Sequence, residues 1–318
     1  MPNLENCIIH TEDPKMHKLL EIAESIATSK ANVLLTGESG SGKELLARFI
    51  HGKSHRSSRP FFAVNCAALP EGLLESELFG YEKGAFTNAI QSKPGKFELA
   101  NGSTFLLDEI SEIPLFLQAK LLRIIQEGEV ERLGSTVSKK IDVRLIATTN
   151  RDLAKMVEDG EFREDLYYRL NVIPLFIPPL RERHKDIEML SQFFMEIICA
   201  ENGIGNKVFS KSAKTKLVQW NWPGNVRELK NVVERSVLLT SNRELSHENI
   251  LIDSSKLKET EDPGLKPGMT VAEAEKLLIL KTLEYTSQNR TRAADLLGIS
   301  IRTLRNKINE YKQEGVCV

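Results

Sequence analysis

Eight residues from Gly37 to Glu44 read "GESGSGKE" and follow a strand-like segment, "ANVLLTG", at 31–37. They match the phosphate-binding pattern G-x-x-x-x-G-K, although Glu44 stands where Ser or Thr is usual. Glycines let backbone N–H groups turn toward phosphate oxygens, Lys43 supplies a point charge, and the following helix offers its positive N-terminus. The segment therefore predicts a nucleotide phosphate site made of Gly37, Glu38, Ser39, Gly40, Ser41, Gly42, Lys43 and Glu44.

An acidic pair, Asp108 and Glu109, ends a second strand-like segment, "TFLLDE". Such a pair at a strand end is ordinarily a turn or a helix cap, but the phosphate loop upstream favours phosphoryl-transfer chemistry. We expect Asp108 to hold Mg²⁺, directly or through water, and Glu109 to polarise the attacking water. ATP and Mg²⁺ are the expected cofactors.

The elements that must position these residues are short apolar runs at 31–37, 103–109 ("STFLLDE") and 142–150 ("DVRLIATTN"). Helical patterns separate them, which predicts a largely parallel sheet covered on both faces. After residue 177 the spacing becomes helical, and residues 253–268 hold two prolines, two glycines and seven charged residues, which is typical of a solvated linker. We expect an α/β subdomain at 1–177, a helical subdomain at 178–252, the linker, and a small helical domain at 269–318.

Composition limits the classes of partner. The formal net charge of −1 indicates no general affinity for nucleic acid or membranes, so any DNA-binding part must be local. The four cysteines show no C-x-x-C spacing, which argues against a zinc site or a disulfide framework and fits a reducing cytoplasm. No apolar run reaches the roughly 18 residues that a membrane span needs.

The last fifty residues contain a helix-turn-helix pattern. "TRAADLLG" is the first helix, Gly298 and Ile299 form the turn, Ser300 is the N-cap, and "IRTLRNKINEYK" is the second helix. Its exposed side predicts base-edge contacts and phosphate contacts from Arg302, Thr303, Arg305, Asn306 and Lys307. The alternative is a charged three-helix module that binds protein. The preceding amphipathic segment, "VAEAEKLLILKTLEYT", is an expected dimer contact.

Five motifs together resemble one family. "GESGSGKE", "GAFTNA", "TFLLDE", "FREDLYYRL" and "WPGNVREL" occur in the order found in AAA+ bacterial enhancer-binding proteins, the transcription activators of sigma-54 RNA polymerase. The resemblance covers about residues 8–240, and the C-terminal segment resembles the Fis-type DNA-binding domain. It implies an α/β fold class, an AAA+ P-loop NTPase core with a parallel sheet, an α-helical lid subdomain and a small all-α helix-turn-helix domain.

The resemblance also implies roles for residues outside the phosphate loop. Thr149 and Asn150 correspond to the sensor I region that reads the γ-phosphate. Asn65, in "FFAVNCA", corresponds to a switch that pairs with Glu109. Arg227, in "GNVREL", corresponds to sensor II, which reaches from the lid to the nucleotide.

Arg163 and Arg169, in "FREDLYYRL", correspond to arginine fingers placed in the neighbouring subunit's site. A guanidinium in trans neutralises charge on the transferred phosphoryl group and is worth roughly 10³–10⁵ in rate. The resemblance thus implies a homo-oligomer, with dimers assembling into a hexameric or heptameric ring. Without the other motifs, surface ion pairing with Glu164 and Asp165 is the simpler reading.

The loop "GAFTNA" is normally GAFTGA in this family, where it contacts sigma-54. The expected contact residues are Gly84, Ala85, Phe86, Thr87, Asn88 and Ala89. Phe86 is expected to be an exposed apolar tip made for a partner, and the alternative is that it packs on its own domain. Asn88 replaces the second glycine; because Asn tolerates left-handed backbone, we expect the turn to survive while engagement of sigma-54 changes.

Too few residues precede the resemblance to hold the sensory or receiver domain usual in the family. Regulation by a separate partner in trans, or a truncated chain, would account for this. The expected function is an ATP-dependent activator that binds upstream enhancer DNA and remodels sigma-54 holoenzyme. Two alternatives remain: a DNA-bound ATPase or repressor of the same fold with impaired sigma-54 engagement, and an AAA+ protein remodeller or helicase loader.

Overall fold

The computed structural model describes residues 8–87, 89–252, 269–286 and 289–313. It divides into two compact units, Met1–Leu251 and Ile252–Val318, and each is described by itself. The predicted linker at 253–268 and the Asn88 position lie outside the described residues. Among the residues described, no helix has the length and apolar character needed to cross a lipid bilayer.

The first unit alternates strands and helices through its first half. Its strands are β1 (Val33–Thr36), β2 (Phe61–Asn65), β3 (Gly80–Tyr81), β4 (Lys93–Pro94), β5 (Thr104–Asp108), β6 (Glu129–Glu131), β7 (Ser138–Lys140), β8 (Arg144–Thr149), β9 (Ile173–Phe176), β10 (Val208–Phe209) and β11 (Glu244–Leu245). Its helices are α1 (Pro14–Ala27), α2 (Lys43–Gly52), α3 (Glu71–Phe79), α4 (Lys96–Leu99), α5 (Leu115–Glu127), α6 (Leu153–Glu158), α7 (Glu164–Leu170), α8 (His184–Glu201), α9 (Lys211–Gln219) and α10 (Asn225–Leu239).

A parallel sheet with strand order β2-β5-β8-β1-β9 forms the centre of this unit. Successive side chains on a strand point to opposite faces, so the apolar residues of the sheet pack into two separate cores. Leu34 and Leu107 pack with α3 and α5, whereas Leu35 and Leu106 pack with α1 and α2. The predicted parallel sheet with both faces covered is confirmed, and with it the α/β fold class.

The strand ends explain where the site forms. Parallel strands bring their carboxyl ends to one edge, where ligands bind in open α/β sheets. The phosphate loop leaves β1 at that edge, Asp108 ends β5, and Thr149 ends β8. The register aligns Asn65 of β2 with Asp108 of β5.

The second half of the unit is helical, as the sequence predicts. Helix α8 packs against α9 and α10. Trp222, between α9 and α10, is fully buried and its indole N–H donates to the carbonyl of Leu217 at 2.8 Å. Buried Asp186 at the start of α8 accepts hydrogen bonds from the hydroxyl of Thr11 and from the backbone N–H of Glu12 and Asp13. This carboxylate ties the entering chain to the helical part.

The second unit contains α11 (Val271–Tyr285), α12 (Arg290–Leu297) and α13 (Ile301–Gln313). Gly298 closes α12 with a φ of 65°, and the hydroxyl of Ser300 caps α13 by accepting from the N–H of Thr303 at 3.0 Å. Its core comprises Ile279, Leu283, Ala293, Ala294, Leu304, Ile308 and Tyr311. The predicted turn and the N-cap are confirmed.

A buried histidine fixes α2 to the sheet. His51 places Nδ1 3.0 Å from Thr104 Oγ1 and Nε2 3.1 Å from the carbonyl of Arg59. Since a carbonyl only accepts, Nε2 carries the proton and Nδ1 accepts from the threonine hydroxyl. Burial lowers the pKa of His51, and the charges of Arg144 and Arg48 lower it further.

Acidification should therefore destabilise the first unit through His51. The unfolded chain binds a proton near about pH 6.5 that the folded chain resists, so this contribution is present above that pH and lost as pH falls. We expect His51→Gln to reduce the drop in melting temperature between about pH 7.5 and about pH 5.5. Exposed His55 supplies the control, His55→Gln; an unchanged drop in His51→Gln would contradict the assignment.

Candidate nucleotide site

The phosphate loop joins β1 to α2 and folds tightly against its surroundings. A side chain at Gly40, which has a φ of 74°, would place its Cβ 2.4 Å from the carbonyl oxygen of Gly224. Lys43, at the start of α2, is only 6% exposed. Its Nζ donates to the carbonyls of Gly37 at 2.9 Å and Glu38 at 3.3 Å, and lies 3.4 Å from Glu109 Oε1. The predicted lysine thus lies beside the predicted acidic pair.

The acidic pair is organised by a threonine hydroxyl that the motif analysis missed. Thr148 Oγ1 donates to Asp108 Oδ1 at 2.6 Å and accepts from the backbone N–H of Glu109 at 3.0 Å. Glu109 has a φ of 55°, so its backbone leaves the strand direction. Its Oε2 accepts from the N–H of Asn150 at 3.2 Å. Both carboxylates are therefore held by the end of β8.

Asn65 does not make its expected contact. The resemblance implies pairing with Glu109, but Asn65 Nδ2 donates to Asp108 Oδ2 at 2.8 Å. Its Oδ1 accepts from the N–H of Ala67 at 2.9 Å. The strand register explains the difference, because Asn65 is aligned with Asp108 whereas Glu109 has already turned away.

The two sensor I candidates reach the site through their backbone. Buried Thr149 accepts the N–H of Gly37 at its carbonyl, at 3.3 Å, and its hydroxyl accepts from the N–H of Arg151 at 3.0 Å. Asn150 contributes its N–H to Glu109. Cys66, next to Asn65, is buried and close to the charge of Asp108; burial raises its pKa to about 12. Cys66 therefore stays a thiol.

The cavity beside the phosphate loop measures about 380 Å³, which lies within the range of roughly 300–1,000 Å³ that small-ligand sites occupy. It gathers the loop, the acidic pair and the start of α10, with Arg227 Nη1 donating to Ser39 Oγ at 3.1 Å. Its lining consists of Ser39, Gly40, Gly42, Lys43, Glu44, Leu45, Asp108, Glu109, Phe194, Val226, Arg227 and Lys230. Phe194 and Lys230 had no signal in the motifs.

Some predicted residues lie outside that cavity. Gly37, Glu38, Thr149 and Asn150 line a neighbouring cavity of about 460 Å³. Buried Ser41 directs its carbonyl to the guanidinium of Arg183. Different residues of the phosphate loop therefore line the two cavities.

The predicted arginine fingers face solvent. Arg163 forms a bidentate pair with Asp165, with Nε–Oδ1 at 3.1 Å and Nη2–Oδ2 at 2.8 Å. These hydrogen bonds raise the pKa of Arg163 and lower that of Asp165. Arg169 is exposed on α7. Neither arginine lines the cavity at the phosphate loop.

The predicted sigma-54 loop stands next to two short strand pairs. Gly84 has a φ of 84°, and Phe86 is 44% exposed. The Phe86 ring also meets the ring of Tyr81 edge-on, with centroids 4.9 Å apart. Ala89 is buried and its carbonyl accepts the N–H of Gly84 at 2.9 Å. The Phe86 side chain is thus partly exposed and partly packed against Tyr81 of β3.

The predicted DNA-contacting residues share one helix. Arg302, Thr303, Arg305 and Asn306 are exposed on α13. Lys307 is less exposed, because its Nζ forms an ion pair with Glu275 Oε2 of α11 at 2.8 Å. A phosphate contact by Lys307 would have to compete with this carboxylate.

Sequence profiles match three consecutive parts of the chain. Residues 9–176 match the sigma-54 interaction domain, residues 181–264 the AAA+ ATPase lid domain, and residues 270–311 the Fis family of bacterial regulatory proteins. The chain is 52% identical over 321 residues to transcriptional regulatory protein FlbD of Caulobacter vibrioides, covering 96% of this chain and 70% of that protein. It is 48% identical over 310 residues to regulatory protein AtoC of Escherichia coli, covering 95% and 67%.

Solved structures agree with the sequence matches. NtrX from Brucella abortus in complex with ADP has a TM-score of 0.73 at 32% identity, covering 96% of this chain and 69% of that one. The complex of NtrX with ATP also has a TM-score of 0.73, at 31% identity, with coverage of 97% and 70%.

The fold and the phosphate site define an AAA+ nucleotide-binding ATPase joined to a Fis-type helix-turn-helix. The chain belongs to the sigma-54-dependent transcriptional regulators and is an ATP-dependent activator whose partners are sigma-54 and DNA. These matches favour activation over both alternative functions.

Thr148 provides a prediction that the motifs alone do not. Thr148→Val keeps the side-chain shape but removes the hydroxyl between Asp108 and Glu109, so we expect ATPase kcat to fall at least about tenfold. Binding of ATP should weaken by less than about threefold, because Thr148 is not in the phosphate loop. Thr148→Ser keeps the hydroxyl and is the matched control. Equal rates in the Val and Ser variants would show that the hydroxyl has no role.

Proposed function

We propose that the chain hydrolyses ATP at sites shared between adjacent protomers of a ring and uses the reaction to press the 84–89 loop against sigma-54. The observation that carries this proposal is the separation of cations. Lys43 and Arg227 line the phosphate cavity, whereas Arg163 and Arg169 face solvent on the same protomer. An arginine that serves phosphoryl transfer from there has to serve a neighbour.

Within one protomer the roles follow from position. The loop N–H groups and Lys43 bind the phosphates, and Glu109 orients and accepts a proton from the attacking water. Thr149 and Asn150 report on the γ-phosphate through the backbone contacts with Gly37 and Glu109. Arg227 approaches the nucleotide from the lid.

The residues present fit Mg²⁺ held mainly by water and phosphate. The described residues contain no cluster of three or more His, Cys, Asp or Glu that could hold a metal alone. Mg²⁺ bound with nucleotide commonly uses only one or two carboxylates and keeps several waters. Asp108 already accepts from Thr148 and Asn65, which favours contact through water. The ion would neutralise charge on the β and γ phosphates.

The second unit would bind enhancer DNA as a dimer. Arg305 and Asn306 are suited to hydrogen bonds with base edges, and Arg302 and Thr303 to contacts with the phosphate backbone of the DNA. Because DNA and RNA polymerase are the partners, we take the cytoplasm as the place of action. Control by a separate regulator in trans completes the proposal.

Subunit mixing tests the shared site. Arg163→Ala/Arg169→Ala and Lys43→Ala should each lose ATPase activity by at least about 100-fold, because one lacks the fingers and the other lacks the phosphate lysine. Mixed rings contain sites that combine an intact phosphate loop with intact fingers, so activity should return on mixing. Arg235→Ala, which changes an exposed arginine of the lid, is the control. It keeps both the phosphate loop and the fingers, so mixing it with either inactive variant should give no more ATPase activity than Arg235→Ala has alone. No recovery from the first pair would refute catalysis in trans.

Phe86 provides the test of coupling to sigma-54. Phe86→Ala should lower the number of promoters opened per ATP hydrolysed by at least about tenfold, because the exposed ring is the proposed contact. The measurement compares promoter melting by sigma-54 holoenzyme with the ATPase rate in the same reaction. Phe116, at 50% exposure on α5, gives the matched control, Phe116→Ala. A ratio equal to wild type in the Phe86 variant would contradict the proposed contact.

A further inference from the structure

Asn225 is an unusual residue at the start of lid helix α10. It is fully buried, and its φ of 50° lies in the left-handed region, which side chains other than glycine seldom adopt. Its backbone N–H donates to the carbonyl of Trp222 at 2.8 Å. A buried amide in such a conformation needs strong local support.

The hydrogen bonds of the Asn225 side chain join segments that are far apart in the sequence. Its Nδ2 donates to Glu38 Oε2 at 3.0 Å and to the carbonyl of Ser39 at 3.1 Å, both in the phosphate loop. Its Oδ1 accepts from the N–H of Leu180 at 2.7 Å, in the short turn before α8. One amide therefore links the phosphate loop, the entry to the lid and α10.

Two further contacts close the junction around it. The N–H of Val226 donates to the carbonyl of Gly40 at 3.0 Å, beside the tight approach of Gly40 to Gly224. Arg181 binds both carboxylate oxygens of Glu38, at 2.9 and 2.7 Å, and this hydrogen bonding holds the pKa of Glu38 below its usual value. Glu38 is thus an ionised acceptor shared by Arg181 and Asn225.

Arg227 makes a weaker mechanical link to the same loop. It is exposed, and the structure gives it one hydrogen bond to the loop, from Nη1 to Ser39 Oγ. A long arginine side chain can follow a nucleotide without fixing the distance between lid and loop, whereas a short buried amide with three hydrogen bonds fixes it.

We propose that Asn225 is a positioning residue that makes the lid move with the phosphate loop, so that nucleotide occupancy sets the lid position. This inference rests on the proposed binding of ATP at the phosphate loop. Asn225 does not contact the phosphates in this role; it acts through Glu38 and the Ser39 carbonyl.

Reversal of hydrogen-bond polarity gives a sharp test. Asn225→Asp keeps the acceptor for Leu180 but removes the amide donor and brings a carboxylate against Glu38, so KM for ATP should rise at least about tenfold. Glu38→Gln added to this variant restores a donor opposite the new carboxylate and should return KM to within about threefold of wild type. The change in kcat should be smaller than the change in KM in the single variant.

The lid carries its own fluorescent reporter. The two tryptophans of the chain, Trp220 and Trp222, lie five and three residues before Asn225, and Trp220 Nε1 donates to Glu228 Oε1 at 3.1 Å. Saturating ATP should shift their emission in the wild type and leave it nearly unchanged in Asn225→Asp. If Asn225 had only a structural role, the variant would still show the emission shift whenever it is saturated with ATP.

Two controls keep the test independent of folding. Asn225→Gly removes the amide at a φ that glycine adopts freely, and it should raise KM at a temperature where its melting curve shows the variant still fully folded. Asn249→Asp changes another lid asparagine, whose Oδ1 accepts from Ser246, and should leave KM and the emission shift intact.

The outcomes separate this inference from the proposed function. Wild-type KM in both Asn225 variants, a full emission shift in Asn225→Asp, or a double variant worse than the single one would overturn the positioning role. If Lys43→Ala instead bound ATP with the same affinity as the wild type, the proposed nucleotide site itself would be wrong.

Discussion

The nucleotide site depends on how the charge of one buried lysine is balanced. Lys43 lies among carbonyls of its own loop and 3.4 Å from Glu109. At an effective dielectric constant of about 20, two unit charges at such a distance interact by roughly 5 kcal/mol, and a buried ammonium without a partner is strongly disfavoured. A bound phosphate brings negative charge to the same place. In the proposed reaction the phosphates therefore replace Glu109 beside Lys43 and leave this carboxylate for water.

The carboxyl edge of the parallel sheet gathers the rest of the site, and the sequence predicted much of it. Short apolar runs identified β1, β5 and β8, and the motif order identified the phosphate loop and the acidic pair. Thr148 was missed because "TTN" offers two adjacent threonines, and alternation alone does not say which one faces Asp108. Only the observed contact of Thr148 with Asp108 and Glu109 resolves this choice.

The partner of Asn65 shows a second limit of sequence reasoning. Motifs assign Asn65 to the site, but the choice between adjacent carboxylates depends on register and on one backbone angle. β2 and β5 align Asn65 with Asp108, and the left-handed φ of Glu109 takes its side chain toward Lys43. The contacts between the phosphate loop and Asn225 could not be predicted from the sequence either. They join segments far apart in the chain and use a backbone conformation that asparagine seldom adopts.

The position of Asn65 also relates the site to the loop at Phe86. The chain that leaves Asn65 continues through α3, whose Leu74, Leu78 and Phe79 are buried in the core on that face, and then enters β3 and the loop. Arg132 braces the base of the loop by binding Glu82 and Glu98. The end of β2, where Asn65 donates to Asp108, is thus where the segment carrying Phe86 begins. Because a packed helix moves as a unit rather than deforming, a displacement at Asn65 has a rigid element through which to reach the loop.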